Sequence, residues 1–222
     1  MIMIMMPNTE TELLSLCRGI EGLSFAQLSV KFGVSVPMNP VQRKGWLGVL
    51  VEKALGTTAG TEAKPDFHHL GIELKTLPLN ARGKPVESTF VTSINLLTIH
   101  HEHWETSQCY SKLKHVLWLP IEGDERIPFA HRRIGRAFLW SAKQEDACIL
   151  ERDWTELSFM LGGGQMADVD ARMGVYLQVR PKAANSRSLC YGFDADGNKV
   201  QTLPRGFYLR PSFTETMLSA AM

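Results

Sequence analysis

Nothing in this 222-residue chain approaches the ~20 consecutive apolar residues that a membrane-spanning helix needs. The N-terminal MIMIMM is apolar but shorter than the core of a signal peptide, and no basic residue precedes it. Cysteine is scarce. Cys17, Cys109, Cys148 and Cys190 are scattered and form no CxxC, which argues against a disulfide framework and against structural zinc. These absences are those of a cytoplasmic protein from a reducing compartment, without a membrane role. A charge excess of one sign is also missing: the formal net charge is +1, so overall charge alone does not announce a polyanion partner. There is no internal repeat and no low-complexity linker. Gly162–Gly164 lacks the Lys-Ser/Thr that completes a phosphate loop and is placed to end a helix.

The chain does carry a core-forming composition, 44% hydrophobic and 21% charged. Thr9 with Glu12, and Ser24 with Gln27, have capping-box spacing ahead of apolar residues at helical intervals. A third helix fits "QRKGWLGVLVEKALG" and ends near Gly56. Strands are predicted over 71–77, 89–98 and 115–122, a short helix within "WETSQCYSKLK", and a helix in two pieces over 139–161. The tail returns to strands in "VYLQVRP", "SLCYGF" and "GFYLRPSF", with Gly197–Asn198 as a hairpin turn. The pattern predicts a mixed α/β fold around one mostly contiguous sheet. It is read as a single domain, 1–222, whose basic C-terminal portion forms a second lobe.

Residues 65–78, "PDFHHLGIELKTLP", place opposite charges inside an apolar run. Strand alternation puts Glu73 and Lys75 on one face, about 6–7 Å apart, with Ile72 and Leu74 on the other. A hairpin through "FHHLG" folds Asp66 back beside Glu73. Two carboxylates held together need a cation between them, or one must take up a proton. Oxygen ligands favour Mg²⁺, and a nearby lysine suits in-line attack of water on a phosphodiester. The plainer reading is a surface ion pair on an edge strand. Upstream, Glu52 shares a helix face with Gly45, Gly48 and Gly56. A glycine inside a helix costs about 1 kcal/mol against alanine, so this face reads either as clearance for another backbone or DNA beside Glu52, or as tight helix-to-sheet packing.

The blocks "KGWLGVLVEKALG…KPDFHHLGIELKTLPL", "ESTFVTSINL", "WETSQCYSKLKHVLW", "YLQVRPKAAN" and "LPRGFYLRPSF" resemble, in that order from Gly45 to Phe213, the MutH family of strand-directed mismatch-repair endonucleases. The resemblance implies a restriction-endonuclease-like α/β fold: a mixed central sheet flanked by helices, with a catalytic lobe and a recognition lobe forming a DNA-binding cleft. It implies catalytic roles for Glu52, Asp66, Glu73, Lys75 and Lys112, with Asp66, Glu73 and Glu52 as ligands of Mg²⁺; Mn²⁺ or Ca²⁺ fits the same site. It also implies nicking of the unmethylated strand at hemimethylated GATC, as a monomer, with activation by MutL after mismatch detection by MutS. A GATC-specific restriction enzyme and a non-catalytic DNA-binding adaptor are the alternatives. The intact Glu52, Asp66, Glu73 and Lys75 speak against the adaptor.

From Ala171 to Met222 seven Lys or Arg stand against three acids. In "YLQVRPK", Tyr176, Gln178 and Arg180 alternate with Leu177 and Val179, and Tyr208 shares a face with Arg210. Exposed polar strand faces would look the same. The resemblance favours base contact for Arg180 and Lys182 and methylation sensing for Tyr208, with Lys44 and Phe90 as further DNA contacts. Arginine donates to guanine O6 and N7, and a methyl on adenine N6 removes a donor hydrogen and adds apolar bulk in the major groove. The "HHEHW" run (His100, His101, His103) and the hairpin His68 and His69 read as loop residues, and "SFAQLSVKFGV" as a packed helix.

Overall fold

The computed structural model describes residues 5–43, 45–57, 64–183, 185 and 187–221. Helix α1 (Glu10–Arg18) starts where Thr9 accepts the Glu12 N–H, but the Glu12 carboxylate takes the N–H of Asn8, so only half of that capping box forms. Helix α2 (Phe25–Phe32) has the full Ser24/Gln27 box and stops at Gly33. The single helix expected after Pro40 is two, α3 (Pro40–Arg43) and α4 (Trp46–Leu55). Gly45 and Gly56 are the caps of α4, both left-handed, with φ of 81° and 77°. They are therefore there for cap geometry, and only Gly48 lies inside the helix. Its cost of about 1 kcal/mol is outweighed by the buried Leu47, Leu50, Val51, Ala54 and Leu55, since a large apolar side chain contributes about 1.5–3 kcal/mol on full burial.

The chain continues through β1 (Glu73–Leu79), β2 (Thr89–Ser93), α5 (Gln108–Ser111), β3 (Val116–Glu122), β4 (Phe138–Trp140), α6 (Gln144–Gly162), β5 (Leu177–Pro181), β6 (Cys190–Phe193), β7 (Lys199–Thr202), β8 (Arg205–Leu209) and α7 (Pro211–Ala221). Three elements depart from the sequence prediction. Strand β2 stops at Ser93, because Asn95 turns the chain by accepting the N–H groups of Leu97, Thr98 and Ile99. Leu139 and Trp140 pair with β3 as part of β4, and α6 is one continuous helix of 19 residues. After Leu209 the chain turns helical at Pro211, whose missing N–H and fixed φ suit a first helical position. The predicted hairpin at Gly197 forms, joining β6 and β7.

The mixed α/β architecture is present, but the strands form three sheets among the described residues, ordered β1-β3-β4, β2-β8-β5 and β6-β7, where one mostly contiguous sheet was expected. The reason lies in long-range pairing. β1 runs parallel to β3, while β2 pairs antiparallel with β8, more than a hundred residues on. The chain divides into two compact units. One holds the chain up to Val86 with His115–Ser141, and the other Glu87–Lys114 with Ala142 onward. In the first unit Leu117, Leu119 and Ile121 of β3, with Leu74 and Leu139, pack against the apolar faces of α1, α2 and α4. Phe25 and Phe32 of α2 sit in that core, so α2 is a packing helix. In the second unit Leu177, Val179, Phe207 and Leu209 are buried on one face of the β2-β8-β5 sheet. Among the described residues no helix is long and apolar enough to cross a membrane.

Candidate functional site

Asp66 and Glu73 are joined by a tight hairpin. Phe67 and Ile72 exchange backbone hydrogen bonds of 2.9 and 3.2 Å, with His68 to Gly71 turning between them. Successive N–H groups of a strand point to opposite edges. The Glu73 N–H donates to His115 O on the β3 side at 3.0 Å. The Leu74 N–H therefore points to the outer edge of β1, where Asp66 Oδ2 accepts it at 2.8 Å. Thr57 holds the same residue from behind, its hydroxyl donating to Asp66 O at 2.6 Å. The hairpin thus fixes the carboxylate at the start of β1.

Glu73 and Lys75 lie on the sheet face opposite the Leu74 core, in register with Val116 and Trp118 of β3. Both are buried, at 5% and 8% exposure, and Lys75 Nζ donates to Glu73 Oε1 at 3.1 Å. Burial excludes the reading of a solvated surface pair on an edge strand. A buried ion pair is expensive to desolvate and is weak as a stability device, so its presence here calls for another reason. The donor set is oxygen only, from two nearly buried carboxylates, with an ammonium beside one of them. Such hard oxygen ligands match Mg²⁺, which binds through one or two carboxylates plus substrate phosphate.

Glu52 is half-buried in the last turn of α4. Among the described residues no group of three or more His, Cys, Asp or Glu is assembled that could hold a metal ion. Asp66 and Glu73 are the two buried carboxylates that could meet a cation here, with further ligands from DNA, water or Glu52. Gly48 gives no sign of close packing, since a Cβ there would meet nothing within 4 Å. Lys112 belongs to the second unit, at the C-cap of α5, and is half-buried. Lys44 lies outside the described residues. His69 ties the hairpin to the N-terminal segment through Pro7 O at 2.7 Å, a structural use.

In the second unit the remaining candidates converge on one sheet face. Phe90, Tyr208 and Gln178 are directly in register across β2, β8 and β5, and Arg180 stands opposite Gly206. The Phe90 and Tyr208 rings meet edge to face at 5.3 Å. Lys182 Nζ lies 3.5 Å from the Phe90 ring centroid and donates to Ser93 Oγ at 3.1 Å. Gly206 makes room for this row, because a Cβ there would come within 2.9 Å of Phe90 Cε2. Burial pushes the Tyr208 phenol above its usual range, Arg180 lowers it and Glu87 raises it, so the hydroxyl is neutral and can donate or accept. Two cations, the Phe90 ring and the neutral Tyr208 phenol on one face form a surface able to meet phosphates and base edges. Arg210 does not join them. Its guanidinium donates to the carbonyls of Ala171, Met173 and Gly174 at 2.8–3.0 Å.

Sequence reasoning missed Asp153, Ser88 and Ser93. Asp153 is 1% exposed in the middle of α6, and its Oδ2 accepts the N–H groups of Val175, Tyr176 and Leu177 at 2.6–3.0 Å. It thereby fixes the start of β5, while Arg210 fixes the carbonyls just before it. The one signal in the sequence was an acid on the apolar face of α6, four residues from Leu157 and three from Leu150. Ser88 accepts from Gln178 Nε2 at 2.6 Å and from Arg180 Nη1 at 3.1 Å. No pattern in the sequence marks such a pairing.

The family described as DNA mismatch repair enzyme MutH matches residues 55–153, a span that takes in the hairpin, β1, β2, α5 and β3. The chain is also similar over nearly its full length to curated proteins named DNA mismatch repair protein MutH. It is 46% identical to that of Vibrio vulnificus strain YJ016 over 215 residues, 97% of this chain and 95% of the relative. The Pasteurella multocida strain Pm70 protein is 45% identical over 214 residues, 96% of each chain, and that of Vibrio cholerae serotype O1 strain O395 is 46% identical over 212, again 96% of each. Similarity at this level across both units, together with the buried acidic and lysine residues of β1, shows that the chain belongs to the MutH family of DNA mismatch repair enzymes.

Proposed function

We propose that this chain is a Mg²⁺-dependent endonuclease that nicks the unmethylated strand of hemimethylated GATC during mismatch repair, in the cytoplasm, as a monomer activated by MutL. The observation that carries the reading is the buried Asp66, Glu73 and Lys75 arrangement at the start of β1. Asp66 and Glu73 would hold the metal, with Glu52 as a further ligand or water-orienting acid. Mg²⁺, when bound, neutralises charge developing on the phosphate and lowers the pKa of bound water. Lys75, held by Glu73, orients the attacking water and keeps positive charge beside the phosphodiester. Lys112 stabilises phosphate charge from its own unit. Arg180 and Lys182 contact GATC, Phe90 and Lys44 support DNA binding, and Tyr208 registers the adenine N6 methyl.

The reading is supported by chemistry as well as by the family. One carboxylate centre cuts one strand, which suits a nick by a monomer. The test is supercoiled GATC plasmid, unmethylated, hemimethylated or fully methylated, incubated in Mg²⁺ with and without MutL. Open-circular product from the first two, little from the third, and faster nicking with MutL are expected. Linear product in the first turnover would favour the restriction-type alternative. Absence of nicking in both Mg²⁺ and Mn²⁺ with MutL present would overturn the proposal.

A further inference from the structure

We propose that Ser88 is a positioning residue for DNA reading, its hydroxyl fixing the Gln178 carboxamide and the Arg180 guanidinium as one rigid group. This rests on the reading of Arg180 as a base contact. Ser88 immediately precedes β2, whereas Gln178 and Arg180 are on β5, with β8 between the two strands. The serine oxygen therefore ties the two outer strands across the middle one.

The chemistry sets the direction of these bonds. Arginine only donates, so Arg180 Nη1, 3.1 Å away, makes Ser88 Oγ an acceptor. Gln178 Nε2 donates to the same oxygen at 2.6 Å. A hydroxyl oxygen has two acceptor lone pairs, so the two donors use both and the hydroxyl proton points elsewhere. Gln178 shares the outward face of β5 with Arg180, yet it is only 4% exposed. It is thus a strut for Ser88 and is not itself placed to read a base edge. Arg180 is exposed. With one N–H anchored, the rest of its planar fork is directed outward in a fixed orientation. A fixed fork favours a bidentate guanine contact, because less side-chain freedom is lost on binding. A mobile arginine would instead meet any nearby phosphate, which adds affinity without sequence information.

The proposal predicts a change in discrimination more than in affinity. Dissociation constants are measured in Ca²⁺ at fixed salt for a GATC duplex, duplexes with its G·C pairs exchanged, and a duplex without the site. Ser88→Ala is expected to reduce the preference for GATC about tenfold, the scale of one lost hydrogen bond to a charged group, with unchanged binding to the site-free duplex. Ser88→Thr, which keeps the hydroxyl, restores the preference. In an Arg180→Ala background, Ser88→Ala has no further effect. If the alanine variant does not fold, Ser88→Cys, a weak acceptor of similar size, carries the same test. Loss of preference in Arg180→Ala but none in Ser88→Ala or Ser88→Cys overturns the positioning role alone. An unchanged preference in Arg180→Ala overturns the reading of Arg180, and the role of Ser88 with it.

Discussion

Replacing Glu73 tests the catalytic reading most directly, but the choice of substitution matters. Glu73 and Lys75 are 5% and 8% exposed and meet at 3.1 Å. Glu73→Ala removes the carboxylate and also strands a buried ammonium. Breaking a buried pair from one side costs about 3–5 kcal/mol, against a total stability of roughly 5–15 kcal/mol. At about 2–4 °C per kcal/mol for a chain of this size, the lower figure already predicts a Tm drop of about 6–12 °C. Lost activity in that variant would therefore mix chemistry with stability. Glu73→Gln keeps the shape and an oxygen that accepts from Lys75, while removing the negative charge a hard cation needs. Its Tm should fall by only a few degrees. Its nicking rate on hemimethylated GATC plasmid in Mg²⁺ should fall roughly 100-fold or more, the scale of a lost electrostatic catalytic group. GATC binding should hold or tighten, because a negative charge facing phosphate is gone. Initial nicking rates beside thermal unfolding separate the two effects. Near-normal nicking by Glu73→Gln would refute the assignment of Glu73 as a metal ligand, and an unchanged Tm in Glu73→Ala would refute the buried pair.

Three further outcomes follow from particular residues. Asp153→Ala leaves three N–H groups without their acceptor, and the Leu177 residue is fully buried, so urea unfolding should show a loss of about 3–5 kcal/mol, with Asp153→Asn costing much less; a change within about 0.5 kcal/mol would show that the clasp contributes nothing. Tyr208→Ser should change the ratio of nicking rates on unmethylated, hemimethylated and fully methylated duplexes, and equal scaling of all three would make Tyr208 a general contact. Gly48→Ala meets open space and should stabilise α4 by up to about 1 kcal/mol, whereas Gly48→Leu should weaken DNA binding without lowering Tm; full binding by the leucine variant would mean that DNA does not approach this face.

What the sequence determined by itself was local. Capping at Ser24, the hairpin that returns Asp66 to β1, the shared face of Glu73 and Lys75 and the turn at Gly197 all follow from spacing, alternation and turn chemistry over fewer than ten residues. The order of the blocks was enough to suggest the family. The glycines around Glu52 read in the sequence as sharing one helix face, either cleared for DNA or tightly packed, because a sequence does not reveal φ: Gly45 and Gly56 are left-handed caps. What only the tertiary structure decided was pairing between distant segments. The split into three sheets depends on β2 choosing β8. The burial that distinguishes Glu73 and Lys75 from a surface pair depends on the sheet around them. Asp153 under the start of β5, and Ser88 beneath Arg180, are single polar atoms meeting donors 22 to 92 residues away. The physical reason is that a hydrogen bond is satisfied by whatever group the fold brings within about 3 Å, and periodicity along a chain carries no record of that partner.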